Sequence, residues 1–224
     1  MIKIGHRWAA WYIPENTLPS FEKAISLWVD MIELDVYMSK DLKIVVIHDE
    51  TLHRTTNWIW NVSDFTYEEL SDLDAGYWAK IPLLSEVIDL VNKRCGINIE
   101  LKWINTALYV SELIRDYIIK WWAESYFFIS SSNEILLNDF YKYLSTIERG
   151  LIYSWIPIWY SSIVLPTKSN VLCLDREFIN QDFVDDAHRN NIKVLVWTVD
   201  DKNEIIKLKN MKVDWIISNF PDFI

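Results

Sequence analysis

Short runs of apolar residues alternate along the chain with segments in which apolar residues recur every three or four positions. The first pattern is typical of a buried strand and the second of an amphipathic helix. The predicted strands are residues 2–5, 31–38, 44–47, 97–102, 127–131, 151–154, 171–175, 194–199 and 214–218. The predicted helices are residues 17–27, 67–72, 84–92, 107–120, 183–190 and 202–209.

The connection between strands 31–38 and 44–47 is too short for a parallel crossover, which takes a dozen residues or more. These two strands are therefore predicted to form a hairpin that brings His48 roughly opposite Leu34 and Asp35. Without the return arm of the hairpin, eight strands separated mostly by helices remain. This order predicts a closed (β/α)₈ TIM barrel, with an open doubly wound sheet as the alternative.

The length of 224 residues suits one domain spanning 1–224, and the polar, turn-rich stretch at about 50–80 is predicted to be a short insertion covering the strand ends.

Three carboxylates lie at or near the ends of predicted strands. Glu33 and Asp35 are two positions apart, so both side chains face the same side of their strand, and Glu100 ends a later strand. Hard divalent cations prefer oxygen ligands, so we expect these three residues to bind one metal ion. The alternatives are a solvated pair for the first two residues and an internal ion pair between Glu100 and Lys102.

Two histidines, His6 and His48, also follow apolar runs, and histidine can accept and donate protons near neutral pH. We expect them to be the catalytic proton carriers. The guanidinium of Arg7 offers a planar fork for phosphate oxygens, and Lys102 is predicted to contact phosphate as well. A structural salt bridge is the alternative for Arg7.

Two further residues are candidates for substrate binding. Glu15 precedes a helix that Asn16 or Thr17 can cap, and its carboxylate could also form hydrogen bonds inside the site. Trp197 lies in a late strand, where its ring could form a wall of the substrate pocket. Ordinary core packing is the alternative for Trp197.

The chain has 22 basic and 32 acidic residues, giving a net charge of −10. This charge argues against a nucleic-acid surface, and an anionic substrate would have to be attracted by local cations or a metal. The sequence shows no signal-peptide pattern and no run of 18 apolar residues, so we expect a cytoplasmic protein without stable membrane insertion. The oligomeric state stays open.

The motifs together resemble those of the glycerophosphodiester phosphodiesterases over nearly the whole chain. The matching residues are His6-Arg7, Pro14-Glu15-Asn16-Thr17, Phe21, Glu33-Leu34-Asp35, His48-Asp49-Glu50-Thr51-Leu52, Arg54-Thr55-Thr56-Asn57, Glu100-Leu101-Lys102 and Trp197-Thr198-Val199-Asp200. The resemblance implies a TIM barrel with a short insertion. It also implies a divalent ion, usually Ca²⁺ or Mg²⁺, on Glu33, Asp35 and Glu100. Acid–base roles for His6 and His48 and phosphate contact by Arg7 follow from it too.

The substrates that this resemblance implies are small glycerophosphodiesters, which are deacylated phospholipids of lipid and glycerol metabolism. They would be cleaved to glycerol 3-phosphate and an alcohol such as choline, ethanolamine or glycerol. Two alternatives are a lysophospholipase D-type activity and a catalytically inactive barrel that binds phosphodiesters.

The chain has 13 tryptophans and only four glycines, whereas an average glycine content of about 7% would give roughly 16. Tryptophan stands where the family usually has glycine, at Trp8, Trp11, Trp28, Trp58, Trp60 and Trp215. Glycine at every tryptophan position except Trp197 would bring the glycine count to this average. Our hypothesis is that a UGA codon, read as glycine in the source organism, has been translated as tryptophan in this sequence. Real tryptophans would support the inactive-barrel alternative.

Overall fold

The structure is a computed structural model that describes residues 1–7, 13–155 and 160–224. The strands are β1 (Ile2–His6), β2 (Met31–Met38), β3 (Ile44–Val46), β4 (Gly96–Leu101), β5 (Phe127–Ser131), β6 (Glu148–Tyr153), β7 (Val171–Asp175), β8 (Lys193–Trp197) and β9 (Trp215–Ser218). The helices are α1 (Leu18–Ser26), α2 (Tyr67–Ser71), α3 (Leu84–Val91), α4 (Thr106–Ile119), α5 (Glu134–Tyr143), α6 (Gln181–Arg189) and α7 (Lys202–Asn210). Trp8 and Trp11, which the glycine hypothesis includes, lie outside the described residues.

Eight parallel strands form a closed ring. Their order is β1-β9-β8-β7-β6-β5-β4-β2, and pairing between β1 and β2 completes the circle. β3 lies outside the ring and pairs antiparallel with β2, with Val36 opposite Val46. The predicted TIM barrel and its additional hairpin arm are therefore confirmed, and the open-sheet alternative is excluded.

Apolar side chains pack on both faces of the ring. Outward-facing residues such as Ile32 and Leu34 pack with apolar residues of the helices in one large cluster. Inward-facing residues, among them Ile4, Met31 and Phe128, fill the interior of the barrel. Because side chains alternate along a strand, the inward positions further along the same strands are the polar ones that form the site.

Helix α5 is absent from the elements predicted by the apolar pattern, although its sequence carries two of the usual signals. Asn133 caps it, because its side-chain oxygen accepts a hydrogen bond from the backbone N–H of Ile135 at 2.9 Å. The buried residues Leu136, Leu137 and Phe140 have the spacing of one helix face.

The segment between β3 and α3 contains α2 and packs around a separate apolar cluster. Its buried members are Val45, Ile47, Leu52, Val62, Leu70, Ala75 and Ile81. Leu52 is fully buried, so it fixes the loop that carries Asp49 and Arg54 beside the ends of β2 and β3.

Within the described ranges, none of the helices combines the length and the apolar character that crossing a lipid bilayer requires.

Candidate active site

A cavity of about 270 Å³ opens where the parallel strands end. Its lining comes from most strands of the barrel: His6, Arg7, Glu33, His48, Asn98, Glu100, Lys102, Ser130, Ser132, Ile152, Ser154, Cys173, Trp197, Thr198 and Ile217. Closure of the barrel therefore brings together residues from the two ends of the sequence.

The three predicted metal ligands meet beside this cavity. Glu33, Asp35 and Glu100 each offer a carboxylate oxygen, and these atoms lie within 4.8 Å of one another. Asp35 lies opposite Glu100 in the pairing of β2 with β4. Glu33 and Asp35 are buried, so the outward solvated pair considered from the sequence does not occur.

Two cationic side chains lie against these carboxylates. The Nε atom of Arg7 is 3.1 Å from Oδ2 of Asp35. The Nζ atom of Lys102 is 2.8 Å from Oε1 of Glu100 and 3.5 Å from Oδ1 of Asp35. The ion pairs considered as alternatives for Arg7 and Lys102 are thus present, and both side chains also line the cavity.

Burial and mutual repulsion separate the pKa values of the three acids. Burial, followed by the charge of Asp35, raises the pKa of Glu33 well above its usual value and that of Glu100 to about 7. Burial would also raise the pKa of Asp35, but the positive charges of Arg7 and Lys102 outweigh it and lower that pKa.

The donor set fits a hard divalent cation. Two buried carboxylates and the half-buried Glu100 share two neighbouring cations, and a further positive charge would offset their remaining repulsion. Oδ1 of Asp35 is buried and, apart from the ion pair with Lys102 at 3.5 Å, it has no hydrogen-bond partner among the described residues. Buried polar atoms are normally paired, so this oxygen is available as a metal ligand.

The tautomer of His6 follows from a chain of hydrogen bonds. The carboxylate of Asp200 can only accept hydrogen bonds. The atom of Asn219 that lies 2.7 Å from its Oδ2 is therefore the amide nitrogen, which donates. The amide oxygen of Asn219 therefore faces Nδ1 of His6, 2.9 Å away. Nδ1 must carry the proton, and Nε2 of neutral His6 is left as a proton acceptor. Burial, followed by the charge of Arg7, lowers the pKa of His6 to about 4.

His48 has a carboxylate partner of its own. Its Nδ1 forms a hydrogen bond with Oδ1 of Asp49, so Nδ1 carries the proton in neutral His48 as well. Nε2 lies 3.3 Å from Nζ of Lys102. Burial is the largest cause that lowers the pKa of His48, and the nearby Asp35 opposes it.

The two further substrate-binding candidates, Trp197 and Glu15, lie in different places. Trp197 lines the cavity, and its ring Nε1–H donates to the backbone oxygen of Cys173 at 3.1 Å. The carboxylate of Glu15 faces Arg54, with Nη2 to Oε1 at 2.7 Å, and lies 3.6 Å from Nη1 of Arg7. Glu15 does not line the larger cavity, so a direct contact with substrate there stays a prediction.

The sequence patterns did not identify two asparagines whose side chains hold site residues in place. Asn16, expected only as a helix cap, donates from Nδ2 to Oδ2 of Asp35 at 3.0 Å, and the helix is capped at Thr17 instead. Asn219 directly follows the last strand, as Arg7 and Lys102 directly follow β1 and β4, and this position could have identified it.

Comparisons with known proteins agree with this geometry. The model of the glycerophosphoryl diester phosphodiesterase family matches residues 6–223. A glycerophosphodiester phosphodiesterase of Caldanaerobacter subterraneus is 35% identical over 98% of this chain and 94% of its own length. A lysophospholipase D of Homo sapiens is 26% identical over 97% of this chain and 83% of its own length.

Among solved structures, the barrel is similar to an Oleispira antarctica phosphodiesterase in complex with the product sn-glycerol 3-phosphate. The two share 28% sequence identity with a TM-score of 0.90, and the match covers 98% of this chain and 93% of that chain. The family match over residues 6–223 agrees with the 35% identical relative and with the similar barrel structure. The chain belongs to the glycerophosphoryl diester phosphodiesterase family.

Proposed function

We propose that the chain hydrolyses glycerophosphodiesters to sn-glycerol 3-phosphate and an alcohol, with a divalent cation and two histidines. Membership of the family makes it a phosphoric diester hydrolase. The observation that carries the proposal is the cavity at which two cationic side chains and two histidines meet a cluster of three carboxylates.

Glu33, Asp35 and Glu100 would hold the cation, either Ca²⁺ or Mg²⁺. A bound divalent ion would polarise phosphoryl oxygens and lower the pKa of a water molecule or a substrate hydroxyl. Arg7 and Lys102 line the same cavity and present N–H groups to a phosphate there.

The histidines supply the proton transfers. Each is neutral with Nδ1 protonated, so each can accept a proton at Nε2 and return it. In the proposed reaction, one histidine takes the proton of the attacking oxygen at Nε2 and later releases it to solvent. The other histidine first takes up a proton from solvent at Nε2 and then transfers it to the oxygen of the leaving alcohol. Trp197 is proposed to form one wall for the bound diester.

The character of the cavity favours a small polar diester over a lysophospholipid. Eight of its fifteen described lining residues are charged or carry a hydroxyl group, including Ser130, Ser132 and Ser154. The lysophospholipase D-type alternative would need an apolar groove for an acyl chain. Ile152 and Ile217 are the aliphatic residues of the described lining.

Enzyme assays test the proposal directly. Release of sn-glycerol 3-phosphate from glycerophosphocholine is measured with and without a chelator, beside release of choline from lysophosphatidylcholine. We expect turnover of the first substrate, and this turnover should stop when chelator is added.

His6→Ala and His48→Ala should remove turnover while leaving metal binding intact. Full turnover in either variant would refute the role of that histidine.

The same assay compares two genes, one that encodes glycine at the tryptophan positions of the hypothesis except the buried Trp122 and one that encodes tryptophan at all of them. If only the glycine form is active, the tryptophans are the cause of the lost activity in the other form. Absence of activity from both forms, with the diester still bound, would instead support the inactive barrel.

A further inference from the structure

Arg54 connects two loops beside the cavity without lining it. Its Nε and Nη2 donate to Asp49, at 2.6 Å from Oδ2 and 3.1 Å from Oδ1. Its Nη1 and Nη2 donate to Glu15, at 2.9 Å from Oε2 and 2.7 Å from Oε1. All three guanidinium nitrogens are therefore engaged by carboxylates on two different segments.

Asp49 links this arrangement to His48. Its Oδ1 accepts from Nδ1 of the imidazole as well as from Arg54, while its Oδ2 accepts from Arg54. The hydrogen bond with Arg54 is the largest cause that lowers the pKa of Asp49, to about 2, so this carboxylate stays ionised. An ionised carboxylate in a fixed position selects the imidazole tautomer that carries its proton on Nδ1.

We propose that Arg54 is a positioning residue, which holds Asp49 so that His48 keeps Nδ1 protonated and presents Nε2 to the bound diester. This inference rests on the proposed function. A lysine at the position could not replace the arginine, because one ammonium group cannot form two bidentate contacts in different directions.

Arg54→Ala and Arg54→Lys are expected to lower kcat by roughly 10–100-fold, the range typical of removing a residue that orients a metal-binding side chain. KM should change little, because Arg54 does not touch the substrate cavity. Since Arg54 acts through Asp49, adding Arg54→Ala to an Asp49→Ala variant should lower kcat no further. Independent, multiplicative losses in the double variant would overturn the proposal.

The imidazole itself gives a second readout. In ¹⁵N-labelled protein, the ring nitrogen shifts of His48 should show the Nδ1–H tautomer in the wild type and a mixture in Arg54→Ala. This measurement needs no turnover, so it separates failure of the positioning role from failure of the proposed function. Unchanged ring shifts in Arg54→Ala and Arg54→Lys would overturn the proposal even if the enzyme were inactive.

Arg94 provides the matched control. Arg94 forms a bidentate ion pair of the same kind with Glu22. The distances are 2.8 Å from Nη1 to Oε1 and 2.6 Å from Nη2 to Oε2. Neither residue lines the cavity. Arg94→Ala is expected to leave kcat and the His48 shifts unchanged, and an equal loss in this control would contradict a specific role for Arg54.

An independent observation concerns the tryptophans. Trp28, Trp60, Trp78 and Trp121 have φ angles of 59°, 96°, 61° and 69°. Glycine adopts this left-handed region freely, whereas a side chain with a Cβ atom is strained there. The four side chains are also between 62% and 88% exposed, so burial of the rings does not offset this strain.

We infer that the natural protein carries glycine at positions 28, 60, 78 and 121. Trp122 differs from them, because it is only 7% exposed and its ring packs against Tyr117, Tyr126 and Phe127. It behaves as a core residue, so the structure does not extend the glycine hypothesis to it.

Mass spectrometry of protein isolated from its own organism tests this inference. Peptides that span the four positions should have the masses expected for glycine, and tryptophan masses there would overturn the inference.

In recombinant protein, replacing these four tryptophans with glycine should raise the melting temperature, whereas Trp122→Gly should lower it. An unchanged or lower melting temperature in the fourfold variant would contradict the structural argument.

Discussion

Two neighbouring carboxylates, Glu33 and Asp35, have opposite pKa shifts although both are buried. Asp35 faces Arg7 and Lys102 and stays ionised, whereas burial and the charge of Asp35 favour the protonated form of Glu33. A metal ion would have to displace a proton from Glu33 but not from Asp35. The two residues should therefore respond differently to amide substitution.

Glu33→Gln imitates the protonated acid. We expect the free energy of unfolding, measured by urea denaturation in chelator, to change by less than about 1 kcal/mol. Calorimetric titration should show that binding of the divalent ion is lost, because one carboxylate oxygen is missing. Retention of wild-type metal affinity would rule out Glu33 as a ligand.

Asp35→Asn removes an ionised group from between two cations. Breaking a buried ion pair by removing one partner typically costs about 3–5 kcal/mol. We expect a loss of unfolding free energy near the lower figure, because Lys102 keeps its contact with Glu100. A change smaller than that of Glu33→Gln would contradict this distribution of charge between the two acids.

His6 gives a pH dependence of stability. Its pKa falls from 6.5 in the unfolded chain to about 4 in the fold, so between these values the unfolded state binds the additional proton. The contribution of His6 to the free energy of unfolding is therefore fully present above about pH 6.5, and it is lost as the pH falls through about 4. The shift corresponds to about 3 kcal/mol.

Urea unfolding of metal-free protein between pH 7 and pH 4 measures this effect. His6→Gln should show a shallower decline than the wild type, because glutamine does not titrate. Equal slopes for the two proteins would show that the imidazole of His6 is not buried in its neutral form.

At the scale of elements, the hairpin of β2 and β3 shows what the sequence could and could not predict. The short connection fixed the antiparallel pairing, and counting residues about the turn placed His48 near Asp35. The backbone N–H of Ile47 indeed donates to the carbonyl oxygen of Asp35 at 3.0 Å. Sequence spacing could not place Arg54, because its contact with Glu15 joins loops 39 residues apart.

Helix α5 escapes prediction from the apolar pattern for a local reason. Its apolar residues Leu136 and Leu137 are adjacent, and polar and aromatic residues interrupt the repeat that follows them. The cap at Asn133 is the stronger signal.

Asn133→Ala removes this cap, and we expect it to lower the free energy of unfolding by about 1 kcal/mol. KM should stay unchanged, because α5 contributes no residue to the described lining of the cavity. Chemical denaturation and steady-state kinetics on the same preparation test both expectations. A shift in KM without a loss of stability would contradict a purely local capping role.

At the scale of the whole molecule, closure of the barrel creates the site. His6 near the start of the chain and Asn219 near its end are 2.9 Å apart, because β9 pairs with β1. The βα pattern predicted this convergence of strand ends, and the polar residues at those ends identified most of the candidate site. The hydrogen-bond partners Asn16 and Asn219 were not assigned, since amides are common at turns and caps.

A bound cation should stabilise the entire fold, because its three proposed ligands come from β2 and β4 and are together only in the folded state. At a metal concentration about 100 times Kd, we expect the free energy of unfolding to rise by about 2.7 kcal/mol. Thermal unfolding with increasing Ca²⁺ or Mg²⁺ measures this. Glu33→Gln should lose the effect, and an equal rise in that variant would indicate metal binding elsewhere.

The most direct test of the account measures release of sn-glycerol 3-phosphate by metal-free protein, isolated from its own organism, as a divalent cation is added back. We predict no turnover of glycerophosphocholine before addition and full turnover once a single metal site is filled. Turnover at the full rate in the metal-free protein would contradict the central claim that the three carboxylates act by holding a cation.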